Sequence, residues 1–169
     1  MIRAATAAAI VFGVASSMAA GKDSLPEGAT FIIQLTGSQY ASGLGQYLLP
    51  PLSKAFAKTS LRYEGGPGAD YAATVEHTYD VGSWHDVKGG KVWLYDTAVT
   101  VGLTPAAVDA EPGGKLSPAF SVSARLLTED ADRVDELNCL IALAVGELAL
   151  RYRRTGHVTV NGARCGRTE

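Results

Sequence analysis

Three stretches of this chain alternate apolar and polar side chains with a period of two, and this pattern constrains the fold more than any other feature. Between Tyr71 and Val81, residues Tyr71, Ala73, Val75, His77, Tyr79 and Val81 fall on one side, and Thr74, Glu76, Thr78 and Asp80 on the other. Between Lys91 and Leu103 the apolar row is Trp93, Tyr95, Val99, Val101 and Leu103. In the third stretch Phe120, Val122, Ala124 and Leu126 stand opposite Ser121, Ser123 and Arg125. Successive side chains of a strand point to opposite faces, so each run predicts a strand with one buried face. Lys88-Gly89-Gly90 supplies a permissive backbone between the first two, which predicts a long antiparallel hairpin that the third run extends into a meander. His85-Asp86 reads as a polar loop beside that turn.

Helical periodicity flanks the meander. Thr30 to Thr36 is a β-branched and aromatic strand ended by Gly37, followed by Leu44, Tyr47, Leu48, Leu52, Ala55 and Phe56 at helical spacing within Ser42 to Lys58. Pro50-Pro51 predicts a kink in that helix or a helix that begins at the prolines. A short run at Ser60 to Tyr63 and the Gly65 to Gly68 loop lead into the meander, and residues 104–118, with three prolines and two glycines, read as a long loop. Thr128 is the expected N-cap of a helix over Glu129 to Arg154, with Glu129, Asp130 and Asp132 early and Arg151, Arg153 and Arg154 late, as the helix dipole favours. Its main apolar stripe is Val134, Leu137, Ile141, Ala144, Val145, Leu148 and Tyr152. A second stripe, Cys139, Leu143, Gly146 and Leu150, needs cover from the tail after Gly156, in which His157 to Val160 is a short strand; the alternative is a homo-oligomer interface. The order predicts an α+β two-layer sandwich: a mainly antiparallel sheet of about four to six strands, with an N-terminal helix and a long C-terminal helix on one face. In outline it resembles small envelope domains of Gram-negative bacteria, a likeness that rests on no diagnostic motif and transfers no site.

The N-terminus gives the address. Met1-Ile2-Arg3, the uncharged run Ala4 to Ala15, and the small residues around Ser17-Met18-Ala19 are the three regions of a signal peptide, with cleavage expected after Ala19, or alternatively after Ala20. The run is shorter than the ~20 apolar residues a membrane span needs, so the cleaved chain is expected not to span a membrane, and no cysteine near residue 20 offers a lipid acceptor. Removing 19 of 169 residues leaves 150, a single-domain length covering residues 20–169, and loss of Arg3 moves the formal charge from -2 to -3. Such an acidic balance gives no basis for nucleic-acid binding. Export also places Cys139 and Cys165 in an oxidising compartment, where they are expected to pair.

Several residue groups are candidates for chemistry. Thr36-Gly37 followed by Gly43-Leu44-Gly45 resembles the Thr-Gly-x-x-x-Gly-x-Gly turn of short-chain dehydrogenases, with Glu64 near the ribose-binding position. The spacing is two residues too long and no Tyr-x-x-x-Lys follows, so no cofactor is expected. His77, Asp80, His85 and Asp86 are the densest set of acid/base residues and the candidates for a catalytic centre. Strand alternation puts His77 and Asp80 on opposite faces unless a bulge intervenes, and no metal is expected. Ser83 stands beside them without a Gly-x-Ser-x-Gly elbow. Trp84, Trp93, Tyr79 and Tyr95 cluster on one hairpin, and Trp84, beside the turn, is the residue most expected to mark a binding surface. Arg151 and Arg154, with Arg153, Arg164 and Arg167, are a candidate anion grip that helix-dipole compensation equally explains.

No group has a catalytic spacing. The first expectation is therefore an exported, non-enzymatic domain that binds a protein or small ligand on the exposed sheet face or the 104–118 loop. The alternatives are a metal-dependent or hydrolytic enzyme centred on His77 and His85, and a homo-oligomeric structural subunit.

Overall fold

The structure, a computed structural model, describes residues 24–25, 27–35, 45–65, 68–106 and 118–166. The expected signal peptide, Thr36-Gly37, Gly43-Leu44, residues 107–117 and Arg167 lie outside the described residues.

In chain order the elements are β1 (Thr30–Leu35), α1 (Gly45–Phe56), β2 (Arg62–Tyr63), β3 (Tyr71–Tyr79), β4 (Ser83–Val87), β5 (Gly90–Pro105), β6 (Phe120–Thr128), α2 (Val134–Arg151) and β7 (Gly156–Asn161), followed by a 3-10 turn (Ala163–Cys165). They form the expected α+β sandwich. The sheet has seven strands in the order β2-β1-β3-β5-β6-β7, with β4 pairing only with β5. Among the described residues no helix is long and apolar enough to cross a membrane.

The three alternating runs form the centre, with β3 and β6 antiparallel to β5 on its two sides. The apolar rows take the helix side as parity requires, but the expected single buried face is not what forms: Ala72, Thr74, Ser121 and Ser123, on the other side, are buried too. Ala73, Val75, Val99, Val101, Leu103, Phe120, Val122 and Ala124 lie buried under the helices. The flanking pairs are parallel: β1 with β3 and with β2, and β6 with β7. A helix between two neighbouring strands carries the chain back to the end where it started, so α1 and α2 each impose a parallel pairing, and the sheet is mixed.

Four boundaries differ from the sequence expectation. The helix α1 starts at Gly45 and runs through Pro50 and Pro51, so it does not begin at the prolines. Leu48, Leu52, Ala55 and Phe56 are buried, with Phe56 against Phe31 at a ring distance of 4.5 Å. The helix α2 starts at Val134, not Glu129, and Thr128 is not its cap. The Thr128 hydroxyl accepts from the Asp130 amide and the Asp130 carboxylate from the Asp132 amide, so these side chains build two local turns ahead of the helix. Arg153 and Arg154 lie beyond its last turn. His85 and Asp86 belong to a strand, β4, not a loop.

The fourth difference is the break in the first long run. Tyr79 pairs with Thr97, whereas Ser83 pairs with Leu94, so Asp80, Val81 and Gly82 stand opposite only Tyr95 and Asp96. One extra residue in this strand reverses its parity, as at a β-bulge. Beyond it Trp84 and Asp86, now even-numbered, share the side of Trp93 and Lys91.

The tail reaches the second stripe of α2 at Cys139. A disulfide joins Cys139 to Cys165 with a Cα separation of 5.4 Å. Leu143 is buried and Leu150, past the tail, is 77% exposed. Gly162 seats the tail by donating its amide to the Arg125 carbonyl at 2.6 Å.

Candidate functional site

Strands β4 and the first half of β5 extend past the rest of the sheet. β1 pairs with β3 only as far as Val75, and β6 reaches β5 only from Tyr95 onward. The resulting two-stranded arm, residues 83–94, has neither outer edge paired among the described residues. Its aromatic residues follow from strand propensity combined with register. Trp84 and Trp93 are directly opposed partners, with ring centroids 5.4 Å apart and planes at 82°. Tyr79 meets Tyr95 edge to face at 6.5 Å at the base. Trp84 is 63% exposed, Tyr79 55% and Trp93 38%, values that core residues of a sandwich do not have.

Asp80 holds the base of the arm. One of its carboxylate oxygens accepts from the Gly82 amide and the Asp96 amide, each at 2.9 Å. Those two N–H groups, that of Asp96 first, hold the Asp80 carboxyl below the usual carboxylate range, with the nearby His85 adding to the effect. Across the strand Asp96 takes a two-pronged contact from the Arg125 guanidinium, at 2.5 and 3.3 Å, which raises the arginine further.

The four candidate catalytic residues separate. His77 is buried on the helix side, its Nε2 2.9 Å from the Thr97 hydroxyl, with a further hydrogen bond to the Ala131 backbone. Burial pushes its pKa down, opposed in part by the charge of Asp132. His85 lies on the arm with Nε2 2.9 Å from the Ser83 hydroxyl, and Asp86 lies on the opposite face, 3.9 Å from Lys91. The structure brings Asp80 near His85 but does not bring His77 to either. Among the described residues no three His, Cys, Asp or Glu side chains are arranged to hold a metal ion. Arg151 pairs with Glu147 one turn earlier on its own helix, and Arg154 is exposed after the helix end.

The solvent side of the sheet carries a polar groove of about 350 Å³ that the sequence did not single out. It is lined by Thr78, Tyr79, Asp80, Asp96, Ala98, Thr100, Ser123, Arg125, His157 and Thr159. Here His157 sits between the Ser121 hydroxyl, 2.8 Å from Nδ1, and the Thr159 hydroxyl, 3.2 Å from Nε2. A serine beside an imidazole suggests a nucleophile, but both ring nitrogens are taken by hydroxyls, and among the described residues no carboxylate is hydrogen-bonded to the ring to orient it. Alternation had already placed Ser121, Ser123 and Arg125 on this face. Their neighbours from β5 and β7 emerge only with the strand order.

No family model matches the chain, and no curated protein matches it. Among solved structures it is similar to a minor lipoprotein from Acinetobacter baumannii at 14% sequence identity, over 72% of this chain and 86% of that one, with a TM-score of 0.38. A likeness that weak carries no argument about fold or function.

Proposed function

We propose that this chain is an exported, non-enzymatic binding domain of the cell envelope, and that the aromatic arm is its contact surface. One observation carries the reading: Trp84, most of its surface in solvent, is held edge to face against Trp93 on a hairpin that stands clear of the core. Exposing that much indole costs a folded chain favourable burial, and large exposed aromatic surface is enriched where partners bind. The Cys139–Cys165 bridge supports an oxidising compartment, and the amino-terminal pattern supports export. The separation of His77 from His85, with hydroxyl partners at 2.9 Å on each, favours binding over hydrolysis.

The test is co-sedimentation of the purified mature protein with an envelope fraction containing both membranes and cell wall. The wild type should sediment saturably, and Trp84→Ala should weaken binding at least about tenfold, the cost of losing one well-placed aromatic contact. Thermal unfolding should be unchanged, because Trp84 buries little. No sedimentation of the wild type, or equal sedimentation of Trp84→Ala, overturns the reading.

A further inference from the structure

We infer that the arm docks on an anionic lipid surface, lying in the headgroup layer; this rests on the arm being the contact surface. The argument begins with how charge is distributed along it. At the base, Asp80 stays ionised, held by two backbone amides, and Asp96 is paired with Arg125. At the tip, Lys88 and Lys91 outnumber Asp86, which lies 3.9 Å from Lys91, leaving a net charge of +1 there on a chain whose formal total is -2. The tip is therefore locally basic on an acidic protein, and it is basic beside the two tryptophans. Indole rings with basic side chains a few ångströms further out are the combination that partitions into the boundary between headgroups and acyl chains, where the ring is half apolar and the ammonium reaches phosphate.

Shape points the same way. Sites for small molecules are concave, and the polar groove behind the arm is lined by Tyr79 and Asp80 but by neither tryptophan. The tip is convex, and its turn at Lys88-Gly89 exposes both faces: Trp84 on one, and Val87, also exposed, on the other. A protruding wedge fits an extended fluid surface. Depth is limited by the backbone. Among the described residues the outer edges of β4 and of residues 90–94 lack strand partners. Unsatisfied amides and carbonyls are too costly in hydrocarbon, so the arm stops at the hydrated headgroups.

The experiment uses the mature, disulfide-intact protein with protein-free vesicles, either pure phosphatidylcholine or phosphatidylcholine mixed with phosphatidylglycerol, and follows tryptophan emission and vesicle flotation. With the mixed vesicles, emission should shift to the blue and the protein should float. Quenching should be stronger from brominated lipid carrying the label near the headgroup than near the chain terminus. Lys88→Gln with Lys91→Gln should weaken partition about thirtyfold, from roughly fivefold per basic residue near the surface. Trp84→Ala should weaken it about tenfold, with the thermal unfolding midpoint unchanged. The inference is overturned if the wild type stays with the aqueous phase, if both sets of variants bind as the wild type does, or if the deep label quenches best. Arm-dependent binding to the envelope fraction without binding to lipid vesicles removes the lipid surface alone and leaves a cell-wall or protein partner for the arm. Absence of both removes the arm as a contact surface. Self-association through the free edges, read by light scattering of the unliganded protein, also counts against lipid docking if it is lost in Trp84→Ala.

Discussion

Gly82 lies directly beneath the indole of Trp93: a Cβ at this position would stand 2.3 Å from Trp93 Nε1, and the backbone there has a φ of +79°. The bulge that reverses the parity of the strand therefore needs glycine twice over, for the left-handed turn and for the space the ring occupies. Gly82→Ala should strain the backbone by about 1–2 kcal/mol and push Trp93 from its seat. The expected readout is a weakened near-ultraviolet circular dichroism signal from the paired indoles and a thermal midpoint lower by about 2–8 °C. An unchanged aromatic spectrum would mean that Gly82 does not set the arm.

His77 makes stability depend on pH. Its folded pKa lies below the ordinary value of 6.5 because burial penalises the imidazolium. The unfolded chain therefore binds more protons than the folded one as the solution is acidified. Stability should be constant well above pH 6.5 and decline as pH falls through that value, with the decline ending once the folded-state histidine also protonates. Denaturant titrations of wild type and His77→Gln across this range should differ in slope, the variant being the flatter. Identical slopes would assign the acid sensitivity to other groups.

The disulfide closes a loop with a sequence separation of 26 residues between α2 and the tail. On the loop-entropy model that restriction of the unfolded chain contributes about 3.5 kcal/mol. Cys165→Ser should lower unfolding free energy by about that amount in urea and leave the strands intact by circular dichroism. A loss below about 1 kcal/mol would mean that the tail is held mainly by β7 pairing.

Gly162 is another close contact. A Cβ there would approach the Leu140 side chain to 2.5 Å and the Arg125 carbonyl oxygen to 2.7 Å, the latter being the acceptor of its own amide. Gly162→Ala should cost about 1–3 kcal/mol by overpacking. It should also loosen the tail, so that dithiothreitol reduces the Cys139–Cys165 bridge faster than in the wild type. Equal reduction rates would show that the tail stays docked by other contacts.

Much of the fold was legible because its signals are local. The faces of β3, β5 and β6 follow from alternation over nine or more residues, and the buried row of α2, Leu137, Ile141, Ala144, Val145 and Leu148, follows from the period of 3.6. Val134, counted in that row, is exposed, because it sits in the first turn, beyond the edge of the core. The start of α2 was misplaced because Thr128 and Asp130 can cap a turn or a helix with the same hydrogen bonds, and sequence does not choose between them. The polar groove was illegible for a different reason: Arg125 meets Asp96 across β5 and β6, and His157 meets Ser121 across β6 and β7, pairs 29 and 36 residues apart.

By itself, the sequence determined which segments are strands and helices, β4 apart, which of their faces are apolar, and that an oxidised chain has one bridge available to it. Those properties depend on side-chain period, propensity and redox chemistry within one segment or one pair of residues. Only the tertiary structure decided that the flanking strands run parallel to the meander, that one extra residue between Tyr79 and Ser83 turns Trp84 to the side of Trp93, and that this pair stands beyond the helices in solvent. Each of these is a matter of register between segments distant in sequence. A single-residue slip there changes which face every following side chain occupies, while leaving the local pattern unaltered.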